Sequence, residues 1–307
     1  MTPASYAEIE HKVLKLTNLE KVLYPASGFT KAEVISYYRK IGPTILPHLH
    51  DRPVTLRRFP AGVEGESFYE KRCPAHHPGW IRTGEFQGVG FCLINDLRTL
   101  IWVANLATIE LHTTLAKIQR MECPDGVVFD LDPGEGTGFQ ECAQIALQLA
   151  QTLKKWNLTS YPKTSGGKGL HIYVPLHGPL TYEVTKGFAR SCAELLSHRF
   201  PDQVTSVMSK KVRQGKIFID WSQNIDFKST VCAYSLRAGS HPTVSTPITW
   251  TEVRAASVRS SVATELIQLT PKNILRRLQK TGDLFKPVLE LRQGVPAAWS
   301  QNLRYAK

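Results

Sequence analysis

The chain has 307 residues, and its 38 Lys and Arg against 26 Asp and Glu give a formal net charge of +12. Its 42% hydrophobic and 21% charged residues are typical of a globular protein and exclude intrinsic disorder, collagen and coiled coil. No apolar run approaches the roughly 20 residues that span a bilayer, and the N-terminal residues lack the apolar core of a secretory signal. The sequence therefore predicts a cytoplasmic globular protein with no membrane partner.

Positive charge is concentrated in the second part of the chain. Residues 1–125 carry 15 basic and 13 acidic side chains (net +2), whereas residues 126–307 carry 23 and 13 (net +10). A field of this size favours a polyanionic partner, with nucleic acid as the first choice.

The cysteines carry no sign of a disulfide framework. All six are 19 to 50 positions apart and none lies in a CxxC pair, which favours reduced, mostly buried thiols. The nearest approach to a zinc pattern, Cys73-Pro-Ala-His76-His77, lacks a second well-spaced pair and is interpreted as a loop.

The predicted elements alternate between strands and helices. Thr30 followed by Glu33 predicts a capped helix, and Asp96 is expected to cap a long helix from Leu97 to about Ile118. The other predicted helices cover residues 139–156, 182–200 and the segment that starts at Thr270-Pro271. The predicted strands cover residues 54–59 and 67–71, which form a hairpin, and then 89–94, 127–131, 160–163, 170–175, 216–221 and 230–235. This order predicts an α+β fold with mixed sheets backed by helices.

Two aspartates follow an apolar run in the string Val127-Val-Phe-Asp-Leu-Asp-Pro-Gly134. On a strand, Asp130 and Asp132 share one face, with Cα atoms about 6.5–7 Å apart. Carboxylates so close repel unless a cation lies between them, and their hard oxygens suit Mg²⁺ or Mn²⁺. Asp220 ends a second apolar strand. Three aspartates from two strand ends predict a two-metal site; the alternative is one capping and one solvated carboxylate.

A glycine-rich string, Thr164-Ser-Gly-Gly-Lys-Gly-Leu-His171, lies between these strands. Its glycines allow backbone amides to approach an anion, and Ser165, Lys168 and His171 add donors. The string lacks Walker A spacing, and no GxGxxG supports a dinucleotide site. The alternative is a tight turn with an incidental lysine. A carboxylate cluster, a triphosphate cradle and a basic body together indicate nucleotidyl transfer.

Five strings of this sequence, at residues 16–25, 130–134, 165–171, 218–224 and 234–237, carry a resemblance to a known family. They resemble the polymerase domain of bacterial and archaeal ligase D, the end-joining polymerases of the archaeo-eukaryotic primase superfamily. The likeness extends to about Trp250. It implies a primase-like fold with mixed and antiparallel sheets flanked by helices, and a polymerase that prefers ribonucleotides.

The resemblance also implies roles for individual residues. It implies a metal-binding catalytic triad of Asp130, Asp132 and Asp220, holding Mn²⁺ or Mg²⁺. Lys21 and Lys31 are expected to hold the 5′-phosphate at a DNA gap or break. The expected nucleotide contacts are Ser165, Lys168, His171, His112, Gln223 and Arg237, and the expected template contacts are Phe68 and Tyr69. His112 is followed by Thr113-Thr114 where many relatives have Pro-Trp or another aromatic, which argues against a stacking side chain there.

Residue type alone gives plainer interpretations of four of these positions. His112 is a core residue of the predicted helix 97–118, Lys21 and Lys31 are surface lysines, and Gln223 caps a turn. The resemblance also implies one primase-polymerase domain over residues 1–307. Residues 1–125 would supply the 5′-phosphate and DNA contacts, 126–250 the catalytic motifs and 251–307 a helical extension.

We predict a DNA-directed nucleotidyltransferase that fills gaps and extends 3′ ends at double-strand breaks during non-homologous end joining. Its predicted partners are gapped or broken DNA, especially 5′-phosphorylated, and NTPs or dNTPs, with Ku and an ATP-dependent DNA ligase as candidates. Its predicted location is the nucleoid. The alternatives are a primer-synthesising primase, a Mn²⁺-dependent glycosyltransferase with a DxD motif, and a non-catalytic DNA-end-binding module.

Overall fold

The structure is a computed structural model that describes residues 5–296. In chain order the strands are β1 (Ser5–Ile9), β2 (Lys12–Leu16), β3 (Val22–Tyr24), β4 (Phe29–Thr30), β5 (Pro53–Arg58), β6 (Phe68–Glu70), β7 (Thr83–Phe86), β8 (Val89–Leu93), β9 (Thr108–Thr113), β10 (Gly126–Pro133), β11 (Tyr161–Thr164), β12 (Leu170–Pro175), β13 (Val204–Thr205), β14 (Ile217–Asp220), β15 (Thr230–Val231), β16 (Leu236–Arg237) and β17 (Thr243–Val244). The helices are α1 (Lys31–Leu49), α2 (Leu97–Asn105), α3 (Phe139–Lys155), α4 (Tyr182–Arg199), α5 (Trp250–Val258), α6 (Ser260–Ile267), α7 (Pro271–Thr281) and α8 (Lys286–Glu290).

The described chain divides into two compact units, each assembled from separate segments. The first unit contains residues 5–119, 229–245 and 269–282, and the second contains residues 120–228, 246–268 and 283–296. The expectation of one primase-polymerase domain over the whole chain stays a prediction.

The first unit is built on an antiparallel sheet with β5 at its centre and β9 beside it. The sheet order is β15-β9-β5-β8-β7, and β6 pairs with β5. Helix α1 buries Val34, Tyr38, Ile41 and Ile45, a spacing that lines one face of a helix. The Tyr38 hydroxyl donates to the carbonyl of Ile109 on β9 at 2.5 Å, which fixes this helix against the sheet.

The second unit is built on a five-stranded sheet of order β11-β12-β10-β14-β13, in which only the β13–β14 pairing is parallel. Along β10 the side chains of Val127, Phe129 and Leu131 share one face and are fully buried. The ring of Phe188 on α4 packs edge-on against Phe129 at 6.4 Å. The side chains of Asp130 and Asp132 therefore point to the opposite face of β10.

Most predicted elements are confirmed, including the signals at helix ends. The Thr30 side chain accepts from the backbone N–H of Glu33, and the Glu33 carboxylate accepts from the N–H of Thr30. Asp96 caps α2 by accepting from Thr99, and Thr270 caps α7. The hairpin of β5 and β6 and the α+β fold class are also confirmed.

The predicted helix from Leu97 to about Ile118 is wrong beyond Asn105. Ala107 has φ of +59°, a backbone conformation that ends α2, and residues 108–113 form β9. The apolar residues of this stretch fit a helical period, but antiparallel pairing with β5 and β15 decides the outcome. His112 therefore lies on an inner strand of the sheet and not on a helix.

The predicted strand 230–235 is also shorter than expected. Strand β15 ends at Val231, and the extended run is interrupted at Tyr234, where φ is +68°. The chain resumes as β16 at Leu236, which brings Arg237 into the first unit.

Two of the six cysteines form a disulfide, so the expectation of six reduced thiols is wrong for this pair. The N–H of Cys73 donates to the carbonyl of Gly90 at 2.7 Å, which brings Cys73 beside Cys92 on β8. The thiolate of Cys73 is therefore not available to a metal. Cys142, Cys192 and Cys232 are buried free thiols, and Cys123 is a half-buried one. No helix within residues 5–296 has the length and apolar character needed to cross a bilayer.

Candidate functional site

Three aspartates of the second unit lie on one face of its sheet. Strands β10 and β14 pair so that Asp130 stands directly opposite Asp220, and Asp132, two residues along, points to the same side. Directly opposed like charges destabilise a strand pair, because their Cβ atoms are only about 5 Å apart. The register therefore gathers the carboxylates in the way that the sequence predicts, and it favours a cation at this place.

The Asp220 carboxylate is held by its own chain. Its Oδ1 accepts from the backbone N–H of Ser222 at 2.9 Å and from the Ser222 hydroxyl at 2.6 Å. Its Oδ2 accepts from the side-chain amide of Gln223 at 2.8 Å. Gln223 thus contacts a predicted metal ligand; its predicted contact with a nucleotide stays a prediction.

A row of polar side chains crosses the same face of the sheet. His171 on β12 stands opposite Asp130, and its Nε2 lies 3.2 Å from Oδ1 of that aspartate. Lys163 on β11 stands opposite His171 and is completely buried. The row Lys163, His171, Asp130 and Asp220 alternates with fully buried apolar side chains on the strands. The sequence analysis did not identify Lys163 as part of this row, because a lysine near the end of a short strand is expected to be exposed.

The donor set of this face is suited to a hard divalent cation, since it offers three carboxylates. Their side chains do not yet form a cage: within residues 5–296, no three Asp, Glu, His or Cys side chains are arranged to hold an ion. The Asp220 oxygens accept hydrogen bonds from Ser222 and Gln223. The residues fit a metal by their chemistry and by the strand register, and metal binding by the three aspartates stays a prediction.

The glycine-rich loop packs against the aspartates. The Ser165 hydroxyl accepts from the N–H groups of Gly167 and Gly169 at 3.2 and 3.1 Å and so organises the turn. A Cβ at Gly169 would lie 2.7 Å from the carbonyl oxygen of Leu131 and 3.3 Å from Oδ1 of Asp132, so only glycine fits there. Lys168 is exposed at the tip. The predicted phosphate contacts of this loop thus stand beside the carboxylates.

The first unit contains a second polar cluster, centred on Glu110. Glu110 has no exposed surface, and the register of β9 with β5 places Arg57 directly opposite it. Its Oε1 accepts from Arg57 Nη1 at 3.2 Å and from the N–H of Ala238 at 2.9 Å. Its Oε2 accepts from Arg237 Nη1 at 3.2 Å and from His112 Nε2 at 2.8 Å.

The negative charge of Glu110 is compensated by the two arginines of this cluster. Burial by itself raises the pKa of Glu110, but the hydrogen bond from His112 and the charge of Arg237 outweigh it and lower the pKa to about 2. Burial lowers the pKa of His112, against the opposing effect of Glu110. At neutral pH the cluster therefore contains a carboxylate, two guanidinium groups and a neutral imidazole.

The sequence analysis did not identify Glu110 and Arg57 as site residues, because it assigned residues 108–113 to a helix and not to a strand. In a helix, residues 110 and 112 point to different sides, whereas in a strand they share a face. The available signal was the alternation Thr108-Ile-Glu-Leu-His-Thr113, in which polar residues occupy every second position.

Two aromatic side chains are exposed on β6, next to this cluster. Tyr69 is 59% exposed, meets the His112 ring edge-on at 5.5 Å and lies against the Arg57 guanidinium at 5.1 Å. Phe68 is 44% exposed and lies against Arg58 at 5.2 Å. Exposed rings supported by arginines can stack on bases, and their predicted template contact stays a prediction.

Lys21 and Lys31 are brought together by the turn between β3 and β4. The N–H of Lys31 donates to the carbonyl of Lys21 at 2.8 Å. Lys31 is only 4% exposed, and its Nζ donates to the carbonyl of Thr17 at 2.6 Å. Burial, followed by repulsion from Lys21 and Arg58, lowers the pKa of Lys31 to about 8. Three clustered cations are a suitable place for a phosphate, and that role stays a prediction.

Comparison with known proteins gives a consistent result. A family model described as "LigD, primase-polymerase domain" matches residues 30–285. The multifunctional non-homologous end joining protein LigD of Mycolicibacterium smegmatis is 40% identical over 286 residues, which are 90% of this chain and 36% of that protein. The bifunctional non-homologous end joining protein LigD of Bacillus subtilis is 32% identical over 288 residues, 92% of this chain and 46% of that protein.

A solved structure shows the same fold. The polymerase domain of Mycobacterium tuberculosis ligase D, in complex with DNA, superposes with a TM-score of 0.82 at 34% identity, covering 90% of this chain and 98% of that chain. The chain thus spans 36 to 46% of the length of these two LigD relatives and nearly all of a solved polymerase domain.

Proposed function

The chain belongs to the LigD primase-polymerase domain family, a family of nucleotidyltransferases, and from this premise we propose that it extends 3′ ends and fills gaps at DNA double-strand breaks during non-homologous end joining. The observation that carries the proposal is the face of the second unit's sheet. Three aspartates meet there beside a glycine-rich loop, in a chain whose structural relative was solved with DNA.

Asp130 and Asp132 are the proposed first ligands of Mg²⁺ or Mn²⁺, and Asp220 is the third. When bound, such ions activate the attacking 3′-hydroxyl and neutralise charge on the phosphates. His171 Nε2 lies 3.2 Å from Oδ1 of Asp130, and His171 is proposed to contact the triphosphate beside that carboxylate. Ser222 and Gln223 orient the Asp220 carboxylate, which would be the third metal ligand. Ser165 and Lys168 are proposed to present donors to the triphosphate, with Ser165 also keeping the loop in shape.

The proposed substrates are nucleoside triphosphates, with ribonucleotides preferred, and DNA with a 5′-phosphate at the far side of the gap. Lys21 and Lys31 would hold that phosphate, and Phe68 and Tyr69 would contact the template. His112 and Arg237 are proposed to contact the nucleotide. Ku and an ATP-dependent ligase are proposed partners, and the nucleoid is the proposed location because the DNA substrate lies there.

Gap filling by the unmodified chain tests the proposal. We expect addition of a nucleotide to a primer that faces a 5′-phosphorylated gap, loss of this activity in EDTA, and its return with excess Mn²⁺ or Mg²⁺. Parallel reactions supply a single-stranded template without primer, and a nucleotide sugar without DNA. DNA binding without nucleotide addition under either metal would overturn the proposal in favour of a binding module. Products from the unprimed template would favour a primase.

A further inference from the structure

The C-terminal segment of the second unit, residues 283–296, reaches the row of polar side chains beside the aspartates. Its residue Phe285 is buried, with 4% of its surface exposed. The Phe285 ring meets the Tyr173 ring edge-on, with ring centroids 5.1 Å apart and an angle of 80° between the planes. Edge-to-face contact is a preferred geometry of aromatic pairs, so each ring restricts the rotation of the other.

Tyr173 stands between this segment and the candidate site. Its side chain points to the same face of the sheet as that of His171, because the two residues are two positions apart on β12. Their rings are close to parallel, with centroids 6.5 Å apart and an angle of 28° between the planes. The Nζ of the buried Lys163 lies 5.8 Å from the centroid of the Tyr173 ring, within the range of a cation–π contact. One ring thus contacts both basic side chains of the row.

The segment is also attached to the sheet near its other end. The side chain of Gln293 bonds to the backbone of Thr159, accepting from the N–H at 2.7 Å and donating to the carbonyl at 2.9 Å, and it donates to the carbonyl of Pro175 at 3.0 Å. The Gln293 carbonyl accepts from the N–H of His177 at 2.6 Å. Thr159 precedes β11 and Pro175 is the last residue of β12, so these bonds fix the segment to both strands.

We propose that Phe285 and Tyr173 are positioning residues of the nucleotide site, which hold the His171 ring in the place from which it contacts the triphosphate. The proposal rests on the proposed function, in which His171 has that contact beside Asp130. Because His171 Nε2 lies 3.2 Å from Asp130 Oδ1, a small displacement of the ring would change its contacts. Misplacing a group by about 1 Å can cost roughly a hundredfold in rate. The C-terminal segment therefore acts on the use of nucleotides from outside the catalytic motifs.

Ring substitutions in the full chain test the proposal. Phe285→Leu removes the ring and keeps a large apolar side chain, whereas Tyr173→Phe keeps the ring. We expect kcat/KM for nucleotides to fall about tenfold in Phe285→Leu and to stay within about twofold in Tyr173→Phe, with the affinity for gapped DNA within about twofold in both. Phe188→Leu is the matched control, because Phe188 is a fully buried ring on the opposite face of the same sheet. An equal loss of kcat/KM in Phe188→Leu would mean that Phe285 has a structural role only.

A double variant shows whether Phe285 acts through His171. If the Phe285 ring serves to position His171, its loss has no further effect once His171 itself is replaced. We expect the double variant His171→Asn, Phe285→Leu to have the same kcat/KM for nucleotides as His171→Asn alone, within about twofold. Losses that multiply in the double variant would overturn the proposal, even in a chain that fills gaps.

A measurement without substrate separates this proposal from the proposed function. The ¹H–¹³C resonance of the His171 ring, assigned by its loss in His171→Asn, is sensitive to the orientation of the neighbouring Tyr173 ring. We expect Phe285→Leu to shift this resonance and Phe188→Leu to leave it in place. An unshifted His171 resonance in Phe285→Leu would overturn the proposal whatever the activity of the chain. A shifted resonance in a chain that adds no nucleotide would overturn the role at the triphosphate together with the proposed function.

Discussion

The two units of the molecule each contain acidic groups on inner strands of a sheet, but the groups that surround these charges differ. In the first unit, Glu110 is fully buried and receives donors from two arginines, a histidine and a backbone amide. In the second unit, Asp130 and Asp220 face each other across a strand pair, and the donors around Asp220 are neutral groups.

The difference indicates which of the two sites requires a bound cation to compensate its charge. The Glu110 cluster has its counter-charges built in, so it can hold a ligand group in a fixed geometry without further ions. On the aspartate face, Asp130 and Asp220 stand directly opposite each other, and a divalent cation would relieve their repulsion. Removing the carboxylate from a site of the first kind is therefore expected to be costly, whereas removing one carboxylate from a site of the second kind removes a repulsion. Four predictions test this comparison.

The largest effect is expected at the aspartate face. Asp130→Asn or Asp132→Asn should lower kcat for nucleotide addition by roughly 10³-fold or more, because the carboxylates hold the metal that stabilises charge in the transition state. DNA binding should stay within about twofold. Single-turnover gap filling measures the first quantity and fluorescence anisotropy the second. Asp202→Asn, an exposed aspartate of the same unit, serves as the control. Retention of a tenth of the activity in both variants would contradict the metal assignment.

The stability of the two sites should change in opposite directions. Glu110→Ala should lower the free energy of unfolding by roughly 2–4 kcal/mol, because it leaves two half-buried guanidinium groups and an amide without their acceptor. Asp130→Asn, measured in EDTA, should leave it unchanged or raise it by up to about 1 kcal/mol through the loss of repulsion. Urea denaturation of the full chain measures both. The comparison fails if Asp130→Asn in EDTA is as destabilising as Glu110→Ala.

The lysine pair of the first unit should contribute a smaller effect, confined to the DNA end. A terminal phosphate carries nearly two charges, and each lysine contact is worth about 1–2 kcal/mol. Lys21→Ala with Lys31→Ala should therefore reduce the preference for 5′-phosphorylated over 5′-hydroxyl gaps from roughly tenfold or more to about twofold, with simple primer extension retained. Binding across a salt series measures the preference. The double variant Lys12→Ala, Lys15→Ala removes two exposed lysines of the same unit as a control. An undiminished preference would place the end-binding pocket elsewhere.

The smallest effect is a pH dependence of the same preference. Lys31, with its pKa lowered to about 8, is charged at pH 7 and loses its charge in the folded protein as the pH rises through 8. Preference for the 5′-phosphate should fall about threefold between pH 7 and 9, since the phosphate stays a dianion over that range. Lys31→Arg should keep it constant. The free energy of unfolding should change in the opposite direction to the phosphate preference. In the unfolded chain a lysine keeps its proton up to about pH 10.4, so above pH 8 the unfolded state binds more protons than the folded state. The free energy of unfolding should therefore rise with pH above about 8. A preference that is flat with pH in the unmodified chain would contradict the role of Lys31.

The sequence predicts local features well and long-range pairing poorly. Strand alternation is enough to place Asp130 and Asp132 on one face, and the caps at Thr30 and Asp96 follow from residue type and spacing. The pairing of Asp130 with Asp220 depends on the register of strands 90 residues apart, to which no local signal contributes. The burial of Lys31 likewise depends on Thr17, which the fold brings to it.

The failure to identify Glu110 as a site residue has a different cause. Residues 97–118 satisfy a helical period in their apolar positions, and the change of element at Ala107 requires a positive φ that alanine rarely adopts. Only the pairing partners of β9, supplied by segments before and after it, make the strand the better solution. The local helical pattern and the observed strand therefore disagree beside a candidate site, and disagreements between local sequence preference and structure are expected at such sites.

The interleaved composition of the two units has a consequence for the order in which the chain can fold. The first unit requires residues 229–245 and 269–282 in addition to its N-terminal segment, so it cannot be completed on the ribosome until residue 282 has emerged. Its sheet closes only when β15 reaches β9, over more than a hundred residues, and such non-local closure is slow. Until then the backbone groups of β9 that pair with β15 have no strand partner, and an unpaired strand edge is a hazard for aggregation. A fragment that ends near residue 228 would carry every predicted metal ligand and yet lack the strand that covers this edge.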